Sequence, residues 1–118
     1  MKLPKLIIFS SGTKTHGGTG FENLVKAKND STLQADIVAV VSNHENGGVR
    51  ERAERLGIPF VYFPKPWDEE SYKKIIRDTG AEFTALSGWL KLVTGLSPKT
   101  TFNIHPGPLP KFGGPGMY

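Results

Sequence analysis

Cysteine is absent from this 118-residue chain, which excludes disulfides, thiolate nucleophiles and thiolate metal sites and fits a reducing compartment; a cytoplasmic location is expected. Long apolar runs are also missing. None approaches the roughly 20 residues that cross a bilayer, and the start, MKLPKLIIF, is short and interrupted by Pro4, so neither a membrane partner nor a signal peptide is expected. Charge of one sign is only mildly in excess, with 15 Lys and Arg against 11 Asp and Glu for a net +4. The basic residues are scattered without a block, which argues against a nucleic-acid partner. Histidine occurs three times, at His16, His44 and His105. With no His-x3-His spacing among them, no metal is expected. A GxSxG elbow is lacking too, which removes the common serine hydrolase arrangement.

What remains describes a soluble globular chain, with 37% hydrophobic and 22% charged residues. At this length one domain, residues 1–118, is expected, large enough to bury roughly two-thirds of its unfolded surface. No internal repeat, low-complexity segment or linker is visible.

Apolar runs alternate with amphipathic stretches along the chain. Lys5 to Ser10 holds four consecutive apolar residues, the pattern of a strand covered on both faces. Glycines follow at once, and Phe21, Leu24, Val25 and Lys28 then recur at helical spacing. A second strand is expected over Asp36 to Val41, and a helix through Val49, Ala53 and Leu56 closed by Gly57. A third short strand runs from Phe60 to Phe63, stopped by Pro64 and Pro66. Asp68 is placed to cap a helix with Tyr72, Ile75, Ile76 and Thr79 on its buried side and Gly80 at its end. Glu82 to Leu86 reads as a fourth strand, SGWLKLVTGL as a loop with a helical turn, and Thr101 to Ile104 as a fifth strand. Strands alternating with helices predict an α/β fold of about five strands, with a parallel sheet, right-handed crossovers and helices on both faces. Ligands of such sheets bind beyond the carboxyl ends of the strands, so the loops after Ser10, Val41, Leu86 and Ile104 are expected to converge on one cleft.

Two stretches carry candidate chemistry. The loop from Gly12 to Asn23 nearly matches the Walker pattern, but Gly18 stands where the lysine belongs, which removes nucleoside triphosphate hydrolysis. Against GxGxxG, Gly18 and Gly20 fit while Asn23 replaces the third glycine, and Asn43 rather than an acid follows the second strand, which argues against a dinucleotide oxidoreductase. What survives is a glycine-rich turn at a helix N-terminus, suited to an anion such as a phosphate monoester. A flexible surface turn is the plain alternative. The second stretch, TFNIHPGPLPKF, starts as a strand and passes into a proline-set loop. Asn103 and His105 are two apart, so they project to one side with Cα atoms roughly 6.6 Å apart. An amide that donates and an imidazole that titrates near neutrality suit acyl-group chemistry. A turn-capping Asn beside a packed His explains the pair as readily.

The run NIHPGPLPKFGGPG resembles the active-site segment of the phosphoribosylglycinamide formyltransferases, folate-dependent enzymes of purine synthesis, which share an Asn-x-His-Pro followed by Leu-Pro. The resemblance extends along essentially the whole chain and implies the Rossmann-like N-terminal part of that domain. It implies transfer of a formyl group from 10-formyltetrahydrofolate, as cosubstrate, to the amine of glycinamide ribonucleotide. On this resemblance Asn103 and His105 are the catalytic residues; Gly18, Thr19, Gly20 and Asn23 hold the substrate phosphate, in a loop that is longer than usual and in which Phe21 and Glu22 replace small polar residues. Trp89, Leu90, Lys91, Leu92 and Val93 match the segment that lines the folate pocket, although Trp89 by itself reads as packing. Arg52 and Arg55 fall where arginines often lie near the substrate, and a solvated helix face accounts for them equally. A third family residue, an aspartate, lies beyond the segment matching FGGPGMY. The chain is therefore expected to be weak or inactive alone, and to form a homo-oligomer or require a complementing C-terminal partner. Two further readings stay open: a non-catalytic phosphate- or nucleotide-binding half-domain, and a relative of methionyl-tRNA formyltransferase, against which the glycine loop argues.

Overall fold

The computed structural model describes residues 2–14 and 16–104. Among them, five strands and three helices follow in the order β1 (Lys5–Phe9), α1 (Thr19–Asn29), β2 (Asp36–Ser42), α2 (Gly48–Leu56), β3 (Phe60–Tyr62), α3 (Glu69–Thr79), β4 (Phe83–Ser87) and β5 (Thr101–Ile104), with a loop and no helix between the last two strands. Each predicted strand and helix is present, with ends displaced by about one residue as ladders close or fray. The sheet is wholly parallel in the order β3-β2-β1-β4-β5. Strand order thus reverses between β1 and β4, the two central strands.

Side-chain alternation divides the core in two. On one face Leu6, Ile8, Ile37, Val40 and Ala85 pack under α1 and α2 with Phe21, Val25, Val49 and Ala53. On the other, Ile7, Phe9, Ala39 and Val41 meet Phe63 and Tyr72. The β1–β2 register slips at Val38, where Leu6 pairs with Ile37 but Ile7 pairs with Ala39. One extra residue there puts Ile37 and Val40 on the same face, against the simple alternation of a strand. The second core is aromatic. Phe9 lies 5.7 Å from Tyr72 and 5.3 Å from Trp89, and Phe63 stacks on Trp89 at 6.0 Å. Asp68 caps α3 by accepting from Ser71 N–H at 3.0 Å, and α2 and α3 end at Gly57 and Gly80.

One expectation fails. No helical turn forms between Gly88 and Leu96; the turn in this connection lies later, at Pro98–Thr100. The reason is where the backbone groups go. Leu90 N–H donates to Ser11 Oγ at 2.9 Å, and the Leu92 carbonyl accepts from Tyr72 OH at 2.8 Å. Groups engaged by distant side chains are not available to an i→i−4 ladder. No helix among the described residues is long and apolar enough to cross a membrane.

Candidate phosphate and folate cleft

The loop after β1 is folded by its own atoms. Thr13 N–H donates to the His16 carbonyl at 2.8 Å, and His16 N–H donates to Thr13 Oγ1 at 2.8 Å. The Thr13 carbonyl in turn accepts from Gly48 N–H at 3.2 Å, which seats the loop against the start of α2. Gly18 then turns the chain into α1 with φ 89° and ψ 8°, a left-handed conformation that glycine adopts without strain. The first helical bond runs from Glu22 N–H to the Gly18 carbonyl at 2.9 Å. The amides of Thr19, Gly20 and Phe21 precede that ladder and carry the positive end of the helix dipole.

Gly20 has a second reason to be glycine. A Cβ there would lie 2.2 Å from Ser87 Oγ. The first turn of α1 therefore packs directly on the end of β4, and the two elements share a cleft of about 280 Å³ lined by Ser10, Gly12, Gly17, Gly18, Thr19, Gly20, Ser87, Gly88 and Leu90, among others. This is the point where strand order reverses, the place where open parallel sheets hold ligands. Among the described residues no charged side chain lines the cleft. Its pull on an anion comes from backbone amides and the helix terminus.

A feature that motif reasoning passed over is Ser11, buried to 1% exposure. Its N–H donates to the Gly88 carbonyl at 3.1 Å, its hydroxyl accepts from Leu90 N–H, and its carbonyl accepts from Ser42 Oγ at 2.8 Å. Three loops, after β1, β2 and β4, are thereby tied together. The only sequence signal was a pair of small polar residues, Ser10-Ser11, between a buried strand and glycines. At the end of β2, Asn43 Oδ1 is buried with no hydrogen-bond partner among the described residues.

The segment matched to a folate wall divides by side. Trp89 and Val93 pack into the aromatic core, as the packing reading of Trp89 anticipated. Leu90 and Leu92 point outward, 78% and 80% exposed, and Leu90 lines the cleft. Lys91 lies with Nζ 4.2 Å from the centre of the Trp67 ring, away from that lining. The backbone is pinned by Tyr72, whose hydroxyl accepts from Trp89 Nε1 at 2.9 Å while donating to the Leu92 carbonyl. Burial pushes the Tyr72 phenol above its ordinary value, with the Trp89 hydrogen bond opposing, so it remains a donor at neutral pH.

The other candidates are distributed around this cleft. Asn23 is exposed on α1 and does not line it. Arg52 and Arg55 both bind Glu22, Arg52 through Nε at 2.9 Å and Arg55 through a terminal nitrogen at 2.7 Å. Asn103, half-buried on β5, is in register with Leu86 of β4, next to the strand whose end forms the cleft wall. His105 lies outside the described residues.

The model of the formyl transferase family matches residues 4–118. The chain belongs to the formyl transferase family. It is 36% identical over 125 residues to the chloroplastic phosphoribosylglycinamide formyltransferase of Arabidopsis thaliana, covering 97% of this chain and 41% of that protein. It is 34% identical over 95 residues to the mitochondrial formyltetrahydrofolate deformylase 1 of the same plant, covering 72% of this chain and 29% of that one. Among solved structures, glycinamide ribonucleotide transformylase 1 from Geobacillus kaustophilus superposes with a TM-score of 0.71 at 27% identity, over 98% of this chain and 65% of that one. The chain thus spans about two-fifths of the length of the Arabidopsis formyltransferase it matches. The α/β sheet and helices described above are this family's fold.

Replacing Tyr72 by Phe leaves the Trp89 N–H and the Leu92 carbonyl without their partner. The substitution is expected to lower unfolding free energy by about 1–3 kcal/mol, read by chemical denaturation, and to speed proteolytic cleavage in the loop from Gly88 to Val93. Acid should act on the α1–α2 contact. The hydrogen bond from Arg55 leads the effects that hold the Glu22 carboxyl below its ordinary 4.5, joined by the charge of Arg55 and by Arg52. A carboxylate with a lowered folded value stabilises fully above the ordinary value and loses that contribution as pH falls through the folded one. Stability of the wild type and of Glu22→Gln, compared by denaturation across pH, should differ at pH 7 and converge well below pH 4.5.

Proposed function

We propose that this chain carries the substrate-binding half of a site that transfers a formyl group from 10-formyltetrahydrofolate to the amine of glycinamide ribonucleotide, a step of purine biosynthesis. One observation carries the reading: the glycine loop and the β4 loop form a single cleft at the strand-order switch, with helix-terminal amides at one side and an outward apolar residue, Leu90, at the other. A phosphate monoester suits the first side. A flat pterin suits the second.

In this reading Gly18, Thr19 and Gly20 hold the ribonucleotide phosphate through backbone amides, Asn23 lies outside the cleft on α1, and the Trp89–Val93 segment supports the folate. The substrate amine attacks the formyl carbon, a tetrahedral intermediate forms, and its collapse breaks the bond to the folate nitrogen, which receives a proton as the amine loses one. Asn103 donates its side-chain amide to the oxyanion, and His105 serves as acid or electrostatic stabiliser. Exposure of Phe102 to 46% on β5, the last strand in the sheet order among the described residues, supports association with a further copy of the chain. The cysteine-free composition supports a cytoplasmic setting.

Resemblance to a deformylase raises a second acceptor, water. The built anion end of the cleft favours a phosphate-bearing acceptor over it. Isothermal titration with glycinamide ribonucleotide and with a folate, followed by a formyl-transfer assay, separates the readings. Binding of both, with weak or no transfer to the amine by this chain alone, is expected. Binding of the ribonucleotide alone without turnover would leave a binding module, and release of free formate without transfer would move the chain to the deformylases. Where transfer is measured, Asn103→Ala should lower kcat by roughly 10²–10³ with little change in the affinity for ribonucleotide, the size expected on losing one oxyanion donor.

A further inference from the structure

We propose that Glu22 is a positioning residue of the glycine-loop cleft, acting through Arg52 on the carbonyl of Gly17. The inference rests on the reading of that cleft as a phosphate site. Glu22 occupies the first turn of α1, pointing across to α2 rather than into the cleft. Its carboxylate gathers three cations: Arg52 Nε at 2.9 Å and Arg55 at 2.7 Å on Oε1, and Lys26 Nζ at 3.8 Å on Oε2. These are unequal. Arg55 and Lys26 have side chains 54% and 69% exposed, where ion pairs contribute little. The side chains of Glu22 and Arg52 are only 17% and 24% exposed.

Arg52 uses its guanidinium as a fork. While Nε is on Glu22, a terminal nitrogen donates to the Gly17 carbonyl. Arg52 Cδ also lies 3.2 Å from where a Gly18 Cβ would stand, so the stem of the side chain braces the loop as its head holds it. The residue that turns the chain into α1 is therefore fixed from α2, and the fixing depends on the carboxylate that aims the fork. With its charge met by Glu22, Arg52 acts on a bound anion through the loop's shape. Lysine cannot take this place, because an ammonium lacks the rigid two-sided donor geometry.

The test compares wild type, Glu22→Gln, Arg52→Lys and Lys26→Ala by titration with ribose 5-phosphate and by NMR-detected hydrogen exchange. The amides of Thr13 and Gly48, which join the loop to itself and to α2, report loop order. Glu22→Gln and Arg52→Lys should each weaken ribose 5-phosphate binding about tenfold, the scale of one charge-assisted hydrogen bond, and speed exchange at both amides by a similar factor. Lys26→Ala should leave both readouts at wild-type values. Wild-type exchange in Glu22→Gln overturns the proposal whatever the binding does, as does equal loosening by Lys26→Ala. Failure of the wild type to bind ribose 5-phosphate overturns the phosphate reading instead, and the exchange comparison still decides whether Glu22 positions the loop.

Discussion

A serine with all its polar atoms engaged holds the working end of this sheet together. Ser11 leaves β1 just as the strand order reverses, and there the chain must separate from its neighbours while its peptide groups stay paired. Its N–H, hydroxyl and carbonyl go to the β4 loop, the β4 loop again and Ser42 of β2. Buried groups of this kind cost free energy when left unpaired, so one residue sets how far apart the β1, β2 and β4 loops can stand. The cleft is the space that remains.

Two supports act on the cleft from opposite faces of the sheet. Below the α3 face, the aromatic cluster of Phe9, Phe63, Tyr72 and Trp89 anchors the β4 loop through the Tyr72 hydroxyl, so Trp89 and Val93 face inward and Leu90 and Leu92 outward. On the other face, Glu22 and Arg52 brace the glycine loop from α2. Neither support lines the cleft. Both act on backbone, and no charged side chain lines the cleft among the described residues.

Much of this was legible in the residues. Four consecutive apolar residues in β1, helical spacing through Phe21 and Val25, Asp68 ahead of α3, and the glycines closing α2 and α3 are local patterns, and local patterns decide strands, helices and their ends. The glycine turn leading into α1 follows from the same kind of signal, and the likeness to the formyltransferases rested on NIHPGPLP and its surroundings. The SGWLKLVTGL segment is a loop, as expected, but the helical turn expected within it does not form, because its peptide groups are bonded by Ser11 and Tyr72. Those residues lie 79 and 20 positions away from the groups they bind.

By itself, then, the sequence determined the element types, the α/β class, the glycine-rich entry to α1 and the family to which the chain belongs. Tertiary structure decided the rest: that Gly20 is needed because α1 lands on Ser87, that Ser11 ties three loops, that the folate-like segment splits into packed and outward side chains, and that Arg52 and Arg55 answer to Glu22. The physical reason is range. Helices and strands follow from spacing within a few residues. A cleft is made by hydrogen bonds and close approaches between residues 30 to 79 positions apart, whose partners are chosen only once the sheet has formed.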